Sequence, residues 1–174
     1  RKFFETAEKQ DWYKNTLFII TADHTSENFR KEYANEISKY RVPILLFHPR
    51  LKFAGLDSSQ IVSHIDITVT ILDFLGFSQK EMNYLGKSIF VPGARSAVNY
   101  LEGRYFLIMK DYFLQYNWNG DYKMYSMKDG DQREPLLEPL DRKDNLIQRM
   151  KATIQYFSLG LWDNRLYYPI GRSL

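Results

Sequence analysis

Asp23 and His24 are the strongest candidates for chemistry in the sequence. They come directly after the apolar run 17–22, and in open α/β sheets ligands bind at the carboxyl ends of strands. A carboxylate and an imidazole together suit Zn²⁺ or Mn²⁺. Because adjacent strand residues point to opposite faces, both side chains can reach one ion only if the chain leaves strand geometry here. The polar stretch 25–28 supplies such a break. In the alternative interpretation, Asp23 caps the next turn and His24 is simply exposed.

The other two histidines favour structural roles. His48 follows a second apolar run, 42–47, and we interpret it as a structural or rim residue. His64 lies at the predicted start of a helix, where Ser63 and Asp66 form a variant of the capping box. A capping or packing role is therefore favoured for His64 over catalysis. The sequence has no G-x-S-x-G motif, no phosphate-binding loop and no Ser/His/Asp triad that can be assembled from its pattern.

The elements that must position Asp23 and His24 are those of an α/β fold. The runs 16–22 and 43–48 are nearly continuously apolar, which predicts neighbouring strands of a mostly parallel sheet. Amphipathic spacing predicts helices over 1–13 and 60–75, and another within 25–41. Gly76 follows the second helix, at the position where a left-handed conformation ends a helix.

The character of the sequence changes after about residue 95, so we predict two parts, 1–95 and 96–174. The second part is rich in aromatic residues, and Asn119-Gly120 is a strong hairpin signal. It predicts a small antiparallel sheet, with a loop over 128–140 and a closing helix over 142–157. The predicted strands are 104–109, 112–117 and 121–127. The aromatic side chains favour a core or an interface over stacking on bases, since no basic residues interleave with them.

Composition excludes several classes of protein. The chain of 174 residues has no cysteine, which excludes a disulfide framework, an iron–sulfur cluster and a cysteine nucleophile. Its 24 Lys and Arg residues against 21 Asp and Glu give a net charge of +3, without a cluster typical of nucleic-acid binding. The longest apolar run is far shorter than the roughly 20 residues of a membrane span.

Five segments resemble one family, in the same order along the chain. Residues 12–25 (WYKNTLFIITADHT) are similar to the strand and metal motif of sulfatase-type enzymes. More narrowly, they resemble the lipoteichoic acid synthase-like phosphoglycerol and phosphoethanolamine transferases of the alkaline phosphatase superfamily. The further segments that resemble the family are 40–49 (YRVPILLFHP), 63–76 (SHIDITVTILDFLG), 85–89 (LGKSI) and 120–125 (GDYKMY). The chain departs from the family pattern at Val69, where proline is usual.

The resemblance implies an incomplete alkaline phosphatase-like fold, in which 1–95 is the C-terminal half of the catalytic core. It also implies that Asp23 and His24 bind one catalytic divalent ion, Mn²⁺, Zn²⁺ or Mg²⁺. The family's other ligands are an acidic residue and a threonine that is also the nucleophile, and both would lie upstream of this segment. The segment alone is therefore expected to be inactive. Histidine at position 24, where arylsulfatases carry asparagine, favours phosphoryl-type transfer, through a phosphothreonine, over sulfate ester hydrolysis.

The resemblance further implies partners and a location. The substrate would be a phosphate or sulfate ester, lipid-linked in some family members, and the N-terminal half of the catalytic domain would be a structural partner. Nucleic acid is not expected. The location would be the periplasmic or extracellular face of the membrane, through an anchor outside this segment. A different hypothesis is a metal-free sulfatase-like domain with an interaction role.

Overall fold

A computed structural model describes residues 2–25, 37–53, 55, 57, 60–77, 85–117, 119–128, 132–135 and 143–166. The chain separates into two compact units, Arg1–Asp57 and Ser58–Leu174. The predicted division after residue 95 rests on a change in sequence character and stays a prediction. The helix predicted within 25–41 lies mostly outside the described residues. Of the described helices, none is both long enough and apolar enough to cross a bilayer.

The first unit contains helix α1 (Lys2–Ala7) and strands β1 (Phe18–Thr21) and β2 (Ile44–Phe47). The two strands are neighbours, as predicted, but they pair antiparallel, with Phe18 opposite Phe47 and Thr21 opposite Ile44. This corrects the orientation expected from a mostly parallel sheet. The apolar pattern predicts strands but not their direction, which depends on the long connection between them. Nor are the strands buried on both faces, since Ile20 and Leu45 are exposed.

An aromatic cluster attaches α1 to one face of this strand pair. The ring of Phe4 lies 5.2 Å from that of Phe18 and 5.9 Å from that of Phe47. Helix α1 is shorter than the predicted 1–13, because the all-polar residues 8–11 offer nothing to bury. A short 3₁₀ turn, Tyr13–Asn15, leads into β1 instead.

The second unit begins with helix α2 (Ile65–Phe74), which starts later than the predicted residue 60. It ends at Phe74, one residue before the predicted 75, and Gly76 takes the predicted left-handed position after it. Gly76 has a φ of 83°, and its N–H donates to the carbonyl of Asp73 at 3.0 Å, while Phe77 donates to Leu72 at 2.9 Å. This pair of hydrogen bonds is a Schellman motif. Val69, where the family has proline, is buried in the middle of the helix.

A five-stranded antiparallel meander forms the larger sheet. The three predicted strands are confirmed as β4, β5 and β6, and two more strands flank them. The strands are β3 (Ser96–Leu101), β4 (Arg104–Met109), β5 (Tyr112–Asn117), β6 (Tyr122–Lys128) and β7 (Gln132–Pro135). The loop predicted over 128–140 is therefore wrong at β7. Pro135 obscured this strand, and a strand proline is tolerated there because β7 is an edge strand.

Helix α3 (Lys143–Trp162) covers one face of this sheet. Leu146 and Met150 join the core and Ile154 packs against it, whereas Phe157 is exposed. The strand residues of this core are Leu107, Leu114, Tyr116 and Met124. Phe106 and Phe113, on the opposite face, are also buried, with ring centroids 5.6 Å apart. The central strands β4 and β5 are thus covered on both faces.

A buried ion pair, which we call the Arg95–Asp66 clamp, ties α2 to the segment after it. Nη1 of Arg95 lies 3.5 Å from Oδ2 of Asp66, and their side chains are only 4% and 9% exposed. The guanidinium also donates to the carbonyls of Lys87, at 2.9 Å, and of Ser88. Asp66 accepts the N–H of Lys87 at 2.8 Å and that of Ser63 at 3.0 Å. Charges and backbone groups in this cluster therefore satisfy one another.

The segment 86–89 packs closely against α2. This close packing explains why the LGKSI sequence has a glycine and a serine. A Cβ on Gly86 would collide with the carbonyl oxygen of Ile65 and lie 3.0 Å from the Cα of Asp66. Two residues later, Oγ of Ser88 donates to the Asp73 carboxylate at 2.5 Å. Because Gly86 has no side chain, the segment can approach the backbone of α2. The hydroxyl of Ser88 then attaches the segment to the helix through Asp73.

Replacing Gly86 by alanine is expected to lower the free energy of unfolding by about 1–3 kcal/mol, the usual cost of an overpacked site. The cause is steric, because the neighbouring atoms belong to the backbone of α2 and cannot rotate away. Urea titration followed by circular dichroism measures the loss. Lys87→Ala is the control, since it removes only an exposed hydrogen bond to Pro92 and should cost less than about 1 kcal/mol. Equal losses for the two variants would contradict the steric explanation.

Candidate metal centre

The chain leaves strand geometry at the end of β1, and this brings the predicted pair together. Oδ2 of Asp23 lies 3.5 Å from Nε2 of His24, and the two side chains are 86% and 69% exposed. Two ligands of one tetrahedral ion, each about 2.0–2.2 Å from it, lie roughly 3.4 Å apart. The break expected after residue 22 is therefore present, and the spacing of the two atoms suits a shared ion.

The tautomer of His24 follows from its hydrogen bond to Thr25. Nδ1 lies 2.8 Å from the carbonyl oxygen of Thr25. A carbonyl only accepts, so Nδ1 carries the proton and, in the neutral ring, Nε2 carries the lone pair. The backbone N–H of His24 donates to Oδ1 of Asp23 at 2.9 Å. Metal-binding histidines commonly donate their second ring N–H to a carbonyl in this way.

His48 lies at the other end of the strand pair. In the antiparallel register, the last residue of β1, Thr21, lies opposite the first residue of β2. His48 follows the last residue of β2, which lies opposite the start of β1. The pairing covers four residues, so the two ends are separated by roughly 10 Å or more. Nδ1 of His48 accepts the backbone N–H of Arg50 at 3.1 Å, which shapes the turn after β2. These contacts support the structural role predicted for His48.

His64 belongs to the second unit and stands at the N-terminus of α2, exposed to solvent. Only the acidic half of the predicted capping box is present, because the N-cap of α2 is His64 rather than Ser63 and it makes no side-chain capping bond. The Asp66 carboxylate reaches back to the backbone N–H of Ser63. The interpretation of this region as a helix start is thus supported. Asp66 has a larger role than predicted, because it also belongs to the Arg95–Asp66 clamp.

Within the part of the chain that the structure describes, no three histidine, aspartate or glutamate side chains gather into a metal-binding group. Asp23 and His24 stand there as a pair. An aspartate and a histidine in this arrangement fit a divalent ion as two of its ligands. Their assignment as metal ligands stays a prediction.

Sequence reasoning missed one residue beside this pair. The hydroxyl of Thr25 donates to the carbonyl oxygen of Lys39 at 2.7 Å, across 14 residues. Lys39 lies in the 3₁₀ turn Ser38–Tyr40, which precedes β2. The sequence holds no signal for this bond, because its acceptor is a backbone carbonyl that any residue could offer.

Comparison with a known structure shows which fold the chain has. The chain superposes on the crystal structure of a protein in the alkaline phosphatase superfamily from Vibrio parahaemolyticus, with a TM-score of 0.79 and 21% sequence identity. The match covers 97% of this chain and 40% of that one, so the chain spans about two fifths of the length of this neighbour. The predicted fold class, an incomplete alkaline phosphatase-like α/β fold, is thereby confirmed.

The family model Sulfatase matches residues 1–77, a stretch that includes β1, Asp23, His24 and α2. No curated protein matches the chain in sequence. The chain is thus similar to the Sulfatase family over residues 1–77 and shares the fold of a protein in the alkaline phosphatase superfamily.

Proposed function

We propose that the chain is the C-terminal part of a metal-dependent phosphoglycerol- or phosphoethanolamine-type transferase, or of a sulfatase-like hydrolase. In this role it supplies two ligands of the catalytic metal, Asp23 and His24. The observation that carries the proposal is the 3.5 Å approach of Nε2 of His24 to Oδ2 of Asp23 at the end of β1. The hydrogen bond from Nδ1 to the Thr25 carbonyl supports it, since it gives the ring the tautomer that a ligand needs.

The ligand set indicates which ion fits. One nitrogen and one carboxylate oxygen suit Zn²⁺ or Mn²⁺, whereas Mg²⁺ prefers an all-oxygen shell. When bound, the ion would neutralise charge on the transferring group and lower the pKa of an attacking hydroxyl. Asp23 would contribute negative charge to this site. His24 would contribute its neutral ring, held by the Thr25 carbonyl.

The remaining parts of the proposal come from the family resemblance. The nucleophilic threonine and an acidic ligand would lie in the N-terminal part of the catalytic domain, which would complete the site. His24 favours transfer of a phosphoryl-type group, and the substrate would be a phosphate ester, lipid-linked in some relatives, or a sulfate ester. The domain would work at the periplasmic or extracellular face of the membrane.

Calorimetric titration of Zn²⁺ and of Mn²⁺ tests the proposal, on the 174-residue chain and on the complete catalytic domain that contains it. We expect weak binding to the chain alone and micromolar or tighter binding to the complete domain. The complete domain should also hydrolyse bis(p-nitrophenyl) phosphate faster than p-nitrophenyl sulfate, and EDTA should stop both reactions. A complete domain that binds neither metal and turns over neither ester would instead support the metal-free interaction domain.

A further inference from the structure

Thr25 connects the Asp23–His24 pair to a turn that is anchored in the core. Its carbonyl oxygen accepts the Nδ1–H of His24 at 2.8 Å, and its hydroxyl donates to the carbonyl oxygen of Lys39 at 2.7 Å. The turn that holds Lys39 begins on buried residues, since Ile37 and Ser38 are only 6% and 2% exposed, whereas Lys39 itself is exposed. Two consecutive hydrogen bonds thus run from this turn to the imidazole ring.

The imidazole needs such support because little of it is packed. The side chain of His24 is 69% exposed, so the surrounding protein surface restrains its rotamer weakly. A hydrogen bond to a carbonyl restrains the ring only if the carbonyl itself is held. The hydroxyl of Thr25 provides that restraint, because it ties Thr25 to Lys39, in the 3₁₀ turn that precedes β2.

We propose that Thr25 is a positioning residue for His24. Its hydroxyl bond to the Lys39 carbonyl holds the Thr25 carbonyl where it receives the Nδ1 proton, which presents Nε2 beside Oδ2 of Asp23. The proposal rests on the proposed function in one respect only, namely that a metal ion is the group that Nε2 binds. The orientation and tautomer of the ring are properties of the metal-free protein and can be measured without it.

Two measurements on the complete catalytic domain test the proposal, with Thr25→Val as the variant. Valine keeps the branched shape and the backbone carbonyl and removes only the hydroxyl. In metal-free protein, ¹⁵N NMR of labelled histidine reports the His24 tautomer, assigned by the signal that disappears in His24→Ala. We expect the wild-type ring to be protonated at Nδ1 and the variant to show a mixture of tautomers. Calorimetry should show Zn²⁺ binding weakened about 10–100-fold, the usual effect of losing an outer-shell partner.

Thr25→Ser is the rescue variant, because serine restores the hydroxyl, and it should recover both the tautomer and the affinity. Thr16→Val is the matched control. The hydroxyl of Thr16 also donates to a backbone carbonyl, that of Trp12, at 2.8 Å, but away from the pair. This control should leave the His24 signals and the Zn²⁺ affinity unchanged. Thr25→Ala removes the hydroxyl together with the methyl group, and this variant should behave like Thr25→Val.

The outcomes separate the two proposals. If Thr25→Val keeps the wild-type tautomer and Zn²⁺ affinity, the positioning role is wrong. It is also wrong if Thr25→Ser loses the tautomer and the affinity to the same extent as Thr25→Val. If the wild-type domain binds no metal but Thr25→Val still changes the tautomer, the proposed function fails and the positioning of His24 by Thr25 stands.

Discussion

Alanine at position 23 or 24 is expected to abolish turnover by the complete catalytic domain and to weaken its metal binding by more than about 100-fold. The figure exceeds the 10–100-fold cost of an outer-shell change, because under the proposed function a direct ligand is removed. Nε2 of His24 and Oδ2 of Asp23 lie 3.5 Å apart, so either substitution leaves the ion with half of the pair. Metal content after dialysis and steady-state rates with a phosphate diester measure the two effects.

His48→Ala and His64→Ala are the controls for this prediction. His48 lies at the opposite end of the β1–β2 pair, and His64 stands at the exposed start of α2. Both variants should keep the metal content of the wild-type protein. Loss of the metal on His48→Ala, with Asp23→Ala still loaded, would show that the wrong end of the strand pair has been assigned as the metal centre.

Arg95→Met is expected to lower the free energy of unfolding by about 3–5 kcal/mol, the usual cost of removing one partner from a buried ion pair. The Asp66 carboxylate, in a side chain only 9% exposed, would lose its cation. The carbonyls of Lys87, Ser88 and Val91 would lose a shared donor at the same time. Methionine fills much of the same volume, so the loss reports charge and hydrogen bonding more than an empty cavity.

Arg104→Met provides the matched comparison. Arg104 pairs with Glu102 at 3.9 Å, but the two side chains are 39% and 69% exposed. Such a surface pair contributes about 0–1 kcal/mol. Urea unfolding of both variants therefore compares the same substitution in a buried and an exposed ion pair. A loss at Arg95 no larger than that at Arg104 would mean that the Arg95–Asp66 clamp does not hold the segment 86–89 against α2.

Local patterns in the sequence determined most of the elements. Hydrophobic runs marked β1 and β2, although the structure does not bury these strands along their whole length, since Ile20 and Leu45 are exposed. The Asn119-Gly120 turn and the aromatic-rich segments on either side of it marked the hairpins of the larger sheet. Gly76 marked the end of α2, since few other residues adopt a φ of 83° without strain. The family motif placed Asp23 and His24 at a strand end, where the chain turns and their side chains converge.

Only the tertiary structure decided how distant parts of the chain meet. The antiparallel direction of β1 and β2 depends on the path between them, which local pattern does not encode. Strand β7 exists because β6 offers it an edge, although its own residues predict a loop. The Arg95–Asp66 clamp joins residues 29 positions apart. The Thr25 hydroxyl likewise finds the carbonyl of Lys39, 14 positions away. Because a backbone carbonyl is the same in every residue, no sequence pattern can name such an acceptor; folding alone brings it within reach.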